Sequence, residues 1–194
     1  VALRQLLKGT LNRVTCSACS TGFVLDVPIV YRDDAGRFLV YFLAVAEDEQ
    51  RETLERQMRQ VTERAFGKEQ GLAPPTCRLV TDRRALIEKI ALHERGLDDR
   101  VVEYVKYQML GNRHGGQRLD PVRDRLLYDF SAEAEGETLA FIVFDRESGK
   151  PRAGAHLPMD VYREVGEAFS TSTEMRDELQ ALFPGYEVNA ERLL

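Results

Sequence analysis

Pro28-Ile29-Val30-Tyr31-Arg32-Asp33-Asp34-Ala35-Gly36-Arg37-Phe38-Leu39-Val40-Tyr41-Phe42-Leu43 decides the class of this fold. Two apolar runs flank Asp33-Asp34-Ala35-Gly36, and Asp and Gly accept the left-handed backbone that a tight hairpin turn needs. The reading is a strand over 23–31, a turn, and a second strand over 38–46. The unbroken apolar run from Phe38 to Leu43 marks the second strand as buried on both faces. Such a strand needs cover on two sides, so helices should pack around it.

They follow in the sequence. Over 47–66, Leu54, Met58, Val61 and Ala65 fall at i, i+4, i+7 and i+11, one apolar stripe of a helix. Glu52–Arg56 and Glu55–Arg59 are supporting i,i+4 pairs. Gly67, Gly71 and Pro74-Pro75 stop that helix, and a short strand is expected over 77–80. Thr81 or Asp82 caps a helix running to about Arg95, with Leu86, Ile87, Ile90 and Ala91 inward. Gly96 closes it, and Leu97 is placed for the apolar contact that accompanies a glycine cap. Asp98 caps the next helix, which carries Val101, Val102, Val105 and Met109 to a stop at Gly111.

Asn112-Arg113-His114-Gly115-Gly116 reads as a loop and a domain boundary, giving a first domain over 1–116 and a second lobe over 117–194. In the second lobe, strands are expected over 125–132 and 138–144, joined around Gly136, with a third over 152–156. Pro158 opens a helix bearing Val161, Tyr162, Val165 and Phe169. Thr171 with Glu174 has capping-box spacing for a last helix carrying Met175, Leu179 and Leu182. The expected class is α+β: a zinc-ribbon-like knuckle with a small antiparallel sheet and helices, plus a second small α+β lobe.

Composition excludes several alternatives. The 194 residues are 43% hydrophobic and 30% charged, with a formal net charge of −5, which rules out a disordered chain and a disulfide scaffold. The charge is uneven: residues 1–117 hold 18 basic and 16 acidic side chains, residues 118–194 hold 9 and 16. Neither part has the clustered positive charge of a general nucleic-acid binder, so a protein partner is the better expectation. The run over 38–46 is far too short to span a bilayer. Three cysteines cannot all pair, which fits a reducing, cytoplasmic compartment.

Cys16-Ser17-Ala18-Cys19 is a C-x2-C knuckle. The spacing lets two thiolates point at one ion while the backbone amides of the turn stabilise the sulfurs. Structural zinc takes four ligands, so one pair is half a site. Two small buried side chains, or a redox pair, are the competing readings. Cys77, His93, His114 and His156 could add ligands, but none has motif spacing to another.

The second candidate is Asp98-Asp99 with Glu103 and Lys106. Asp99 and Glu103 share one helix face, and two carboxylates with a lysine could serve a metal-dependent hydrolase or nuclease. An N-cap, a favourable helix dipole and an i,i+3 ion pair explain the same residues without chemistry. No nucleophile elbow, zincin motif or phosphate loop is present in the sequence.

Leu3-Arg4-Gln5-Leu6-Leu7-Lys8-Gly9-Thr10-Leu11-Asn12 leads into Val14-Thr15-Cys16-Ser17-Ala18-Cys19, then Pro28 to Asp33, Glu88-Lys89-Ile90 and Gly96-Leu97-Asp98-Asp99-Arg100-Val101-Val102-Glu103. In this order the segments resemble the CpXC family, bacterial and archaeal proteins with paired Cys-Pro-x-Cys motifs, over roughly residues 1–106. The resemblance implies zinc held by Cys16 and Cys19 together with a first Cys-Pro-x-Cys ahead of Leu3, and it implies no activity. Ser17 stands where the family has proline. The functional expectation is a non-enzymatic, zinc-ribbon-like interaction module, with the Asp98, Asp99 and Glu103 hydrolase as the alternative.

Overall fold

A computed structural model describes residues 2–44, 51–67, 75–111, 119–132 and 138–194. Among these the chain is mixed α+β, with six α-helices and three small sheets. It divides into two compact units, Val1–Ile90 and Ala91–Leu194. The boundary loop expected over 112–116 lies outside the described residues.

The first unit opens with α1 (Ala2–Leu7), whose Leu6 is buried. A two-stranded antiparallel hairpin follows, β1 (Arg13–Thr15) with β2 (Gly22–Val24). The strand expected over 23–31 is two pieces, β2 and then β3 (Ile29–Asp33), separated by 25–28. Pro28 explains the break, because it has no N–H to give a ladder. β3 pairs antiparallel with β4 (Phe38–Phe42) across the Asp33–Gly36 turn, where the Asp33 carboxylate accepts from the Ala35 N–H at 3.1 Å.

α2 (Arg51–Phe66) then carries the chain to β5 (Thr76–Val80), which lies parallel to β4. The sheet β3-β4-β5 is therefore mixed rather than antiparallel. A crossover helix between neighbouring strands imposes parallel pairing, whereas a tight turn imposes antiparallel pairing. β4 is buried on both faces, as its apolar run predicts. Phe38, Val40 and Phe42 pack with Leu86 and Ile90 of α3 (Arg83–Glu94). The other face carries Leu39 and its register partner Cys77, whose sulfur accepts from the Thr62 hydroxyl of α2 at 3.2 Å. Asp82 caps α3, accepting from the amides of Arg84 and Ala85.

The second unit is built around α4 (Asp99–Gly111) and an antiparallel meander of β6 (Asp124–Tyr128), β7 (Thr138–Asp145) and β8 (Pro151–Pro158). Gly96 supplies the left-handed residue (φ +68°) ahead of α4, and the Leu97 N–H returns to the Leu92 carbonyl at 3.0 Å, the glycine cap expected from sequence. Asp98 caps α4, accepting from the Arg100 N–H at 2.9 Å. Val102, Val105 and Met109 pack on Leu126, Leu139, Phe141 and Val143 of the sheet. Val101 and Tyr104 pack instead with Phe169, Leu179 and Phe183, which come from α5 (Met159–Thr171), α6 (Thr173–Leu182) and the residue after it. The Tyr104 and Phe169 rings meet edge to face at 4.9 Å between centroids.

α6 is capped by Ser172, whose hydroxyl accepts from the Met175 N–H, and not by Thr171. Thr171 still belongs to α5, and its hydroxyl donates back to the Glu167 carbonyl at 2.8 Å. A short 3-10 turn, Ala190–Arg192, ends the unit. No helix among the described residues is long and apolar enough to cross a membrane.

Candidate functional site

Cys16 and Cys19 sit in the connection between β1 and β2. The Cys16 N–H donates to the Thr21 carbonyl at 2.9 Å, which extends the hairpin ladder by one position. The Ser20 N–H returns to the Cys16 carbonyl at 2.9 Å, and Ser20 takes a left-handed φ of 58°. The turn therefore folds the chain back within four residues and leaves both sulfurs on its tip. Cys16 is partly exposed, Cys19 is exposed, and both are free thiols. Cys19 Sγ lies 3.2 Å from the Thr21 hydroxyl. Hydrogen bonding with the Thr21 side chain and backbone and with the Cys16 side chain holds the Cys19 thiol below its ordinary pKa. These groups stabilise negative charge on sulfur, as a thiolate ligand requires. Cys16 and Cys19 lie near one another in this turn, and a pair of thiols so placed could offer two donors to a soft ion.

The other possible ligands lie elsewhere. Cys77 is buried in β5, and burial pushes its thiol upward. His93 lies on α3 and His156 on β8. His114 lies outside the described residues, with the rest of the 112–116 loop. Among the described residues, no three His, Cys, Asp or Glu side chains are gathered as a metal site.

Asp98, Asp99, Glu103 and Lys106 fall on α4 as expected, but their setting is that of a core. Asp98 is a half-exposed cap paired with Arg100 at 3.1 Å. Asp99, Glu103 and Lys106 are all buried. Glu103 Oε1 accepts from Lys106 Nζ at 2.9 Å, and Oε2 accepts from the Ala190 N–H at 2.9 Å. A helix packed on both sides has to bury some polar positions, and it does so with partners. A cleft of about 580 Å³ in this unit is lined by Val105, Met109, Leu157 and Val165, with Gln108 and His156 as polar neighbours. None of Asp98, Asp99 and Glu103 lines it, so nothing here supports a hydrolase.

Thr21 and Ala190 are the contributors that motif reading passed over. A threonine two residues after a C-x2-C has the right reach for the second sulfur, and that was a readable signal. The Ala190 amide comes from 87 residues away in the chain, and no sequence signal announces it.

Comparison with known proteins adds one relation. The family model described as CpXC protein matches residues 2–106. No curated protein and no solved structure matches the chain.

Proposed function

The chain belongs to the CpXC protein family, and on that footing we propose that it is a zinc-dependent binding module rather than an enzyme. Cys16 and Cys19 are the ion's protein ligands, and the hairpin that bears them is the recognition element. One observation carries this reading: two neighbouring thiols share the tip of an exposed turn, with Thr21 stabilising the thiolate of one. That pair would supply two of the four donors of a structural zinc site. Bound zinc would fix the turn conformation and hold both sulfurs deprotonated. The partner is proposed to be protein, since the chain lacks the positive charge that nucleic-acid binding draws on.

The test is metal analysis of the reduced protein beside a Cys16→Ser, Cys19→Ser variant. Zinc that copurifies or rebinds in proportion to protein, and is lost in the variant, is the expected result. Equal zinc in both proteins, or none in either, refutes the assignment.

A further inference from the structure

The cleft of the second unit runs along the edge of its sheet. β8 is an outer strand of β6-β7-β8, and among the described residues β7 is the only strand paired with it. Ala155 and Leu157 are buried in the core shared with α4, while Gly154, His156 and Pro158 turn to the exposed face. A cavity on one face of a strand meets alternate residues. This one, about 580 Å³, meets all five from Gly154 to Pro158. It therefore opens onto the backbone edge of β8 that β7 leaves free, where alternate residues turn an N–H and a C=O outward.

The sequence leaves that edge open. Free edges are ordinarily blunted with charge, proline or a covering element. From Ala153 to Leu157, β8 carries no Lys, Arg, Asp, Glu or Pro. Gly154 lies in the strand, and a Cβ there would meet only His156 Nε2 at 3.7 Å and the Phe141 carbonyl at 4.0 Å, both ordinary contacts. The chain's own packing thus does not require glycine at this position, and a strand glycine also marks where another backbone comes close. Across the cleft stand Val105 and Met109 of α4 and Val161 and Val165 of α5, a wall suited to apolar side chains. The charge beside that wall is acidic. Exposed Glu164 follows Val161 round α5 towards solvent, and residues 118–194 hold 9 basic against 16 acidic side chains. The one arginine of β8, Arg152, is taken by Asp124.

A row of outward N–H and C=O groups beside an apolar wall is the geometry of strand addition, in which backbone bonds give affinity and alternate side chains give specificity. An extended polypeptide matches such a row at its own spacing, and the acidic rim favours one that carries positive charge. We propose that the free edge of β8 binds an extended segment of a partner protein as an added strand, with an apolar side chain of that segment in the cleft between α4, α5 and β8 and a basic residue beside it facing Glu164. The site lies wholly within the second unit. It is separate from the cysteine turn and stands whether or not Cys16 and Cys19 hold an ion.

The test is selection of a random peptide library on the immobilised 194-residue chain, followed by synthesis of the recovered peptides and binding by fluorescence anisotropy. The expected peptides alternate apolar residues with polar and basic ones. Methylating their backbone nitrogens one at a time should abolish binding at every second position only, because alternate N–H groups face the strand. Bound peptide should slow amide exchange at alternate residues of β8. Val161→Lys, at an exposed position whose substitution spares the core, should weaken binding by about tenfold or more. Glu164→Lys should remove the preference for basic peptides. The Cys16→Ser, Cys19→Ser variant should bind them as the native chain does, which separates this site from the zinc reading. An empty selection, or peptides indifferent to Val161→Lys and to backbone methylation, overturns the proposal. Peptides lost with the cysteine variant belong to the hairpin and overturn it too. A doubled mass with slow exchange along β8 in the peptide-free chain gives the edge to a second copy, and likewise overturns it.

Discussion

Replacing Lys106 by Met should expose the cost of burying a carboxylate. In the native chain Glu103 and Lys106 have side chains only 2% and 4% exposed and meet at 2.9 Å. Breaking a buried ion pair by removing one member typically costs about 3–5 kcal/mol. That is a fifth or more of the ~5–15 kcal/mol that holds a typical domain folded. Glu103→Gln alone should also destabilise, because it removes the carboxylate that Lys106 Nζ meets at 2.9 Å. The double variant should recover most of the loss. Glutamine keeps a carbonyl oxygen for the Ala190 N–H, and the exchange of Oε1 for an amide beside Met costs at most about 1–3 kcal/mol. The singles together should then exceed the double by several kcal/mol, which equilibrium urea unfolding followed by helical circular dichroism can resolve. Hydrogen exchange at the Ala190 amide gives a local reading of the same cycle. Added salt should leave the coupling almost unchanged, since buried pairs are weakly screened. A Lys106→Met cost below about 1 kcal/mol, or additivity of the two changes within about 0.5 kcal/mol, would refute the claim that this pair acts as one buried unit.

Three other outcomes rest on single hydrogen bonds and packing contacts. Ser148 and Arg123 hydrogen-bond the Asp145 carboxylate and lower its pKa to about 2, so its contribution to folding is full above the unfolded value near 3.8 and fades as the pH falls towards 2. An NMR titration should place its midpoint there, and Ser148→Ala should raise it; a midpoint near the ordinary aspartate value in the native protein would contradict the hydrogen bonding. Ser172→Ala should cost about 1 kcal/mol through the lost cap of α6, and Thr171→Ala much less; the reverse order by thermal unfolding would move the cap back to Thr171. Leu86→Ala, at a position fully shielded from solvent, should cost about 2–5 kcal/mol in the first unit; a loss under about 1 kcal/mol would show a core able to close over the gap.

Much of this fold is legible in the sequence where a local rule has no competitor. The run from Phe38 to Phe42 is buried on both faces because nothing polar interrupts it. The caps at Asp82, Gly96 and Asp98 form as read because each is decided within a few residues. The misreadings arise where tertiary structure chooses between local options. Ser172 and Thr171 are both cap residues by type, and the length of α5 decides between them. The parallel pairing of β5 depends on α2 crossing the sheet, which strand composition does not encode. The 23–31 stretch reads as one strand by its apolar content, yet Pro28 divides it, and Phe23, Val24, Leu25, Val27 and Val30 stay exposed while Ile29 and Tyr31 pack on the core. In the candidate site the cysteine pair is plain from spacing, whereas the burial of Glu103 is not, because its second partner is the distant Ala190 amide.

The stretch shared with the family ends at residue 106, midway along α4. That helix lends Val101, Val102, Val105, Met109 and Leu110 to the cores of the second unit. The segment that recurs among relatives is thus not the segment that can stand alone. Trimming this protein to its recognisable homology would cut the helix in two, strand its buried charges and leave raw apolar surface for aggregation. What looks like an appendix to the shared sequence is, for this chain, the condition under which the end of that sequence stays folded.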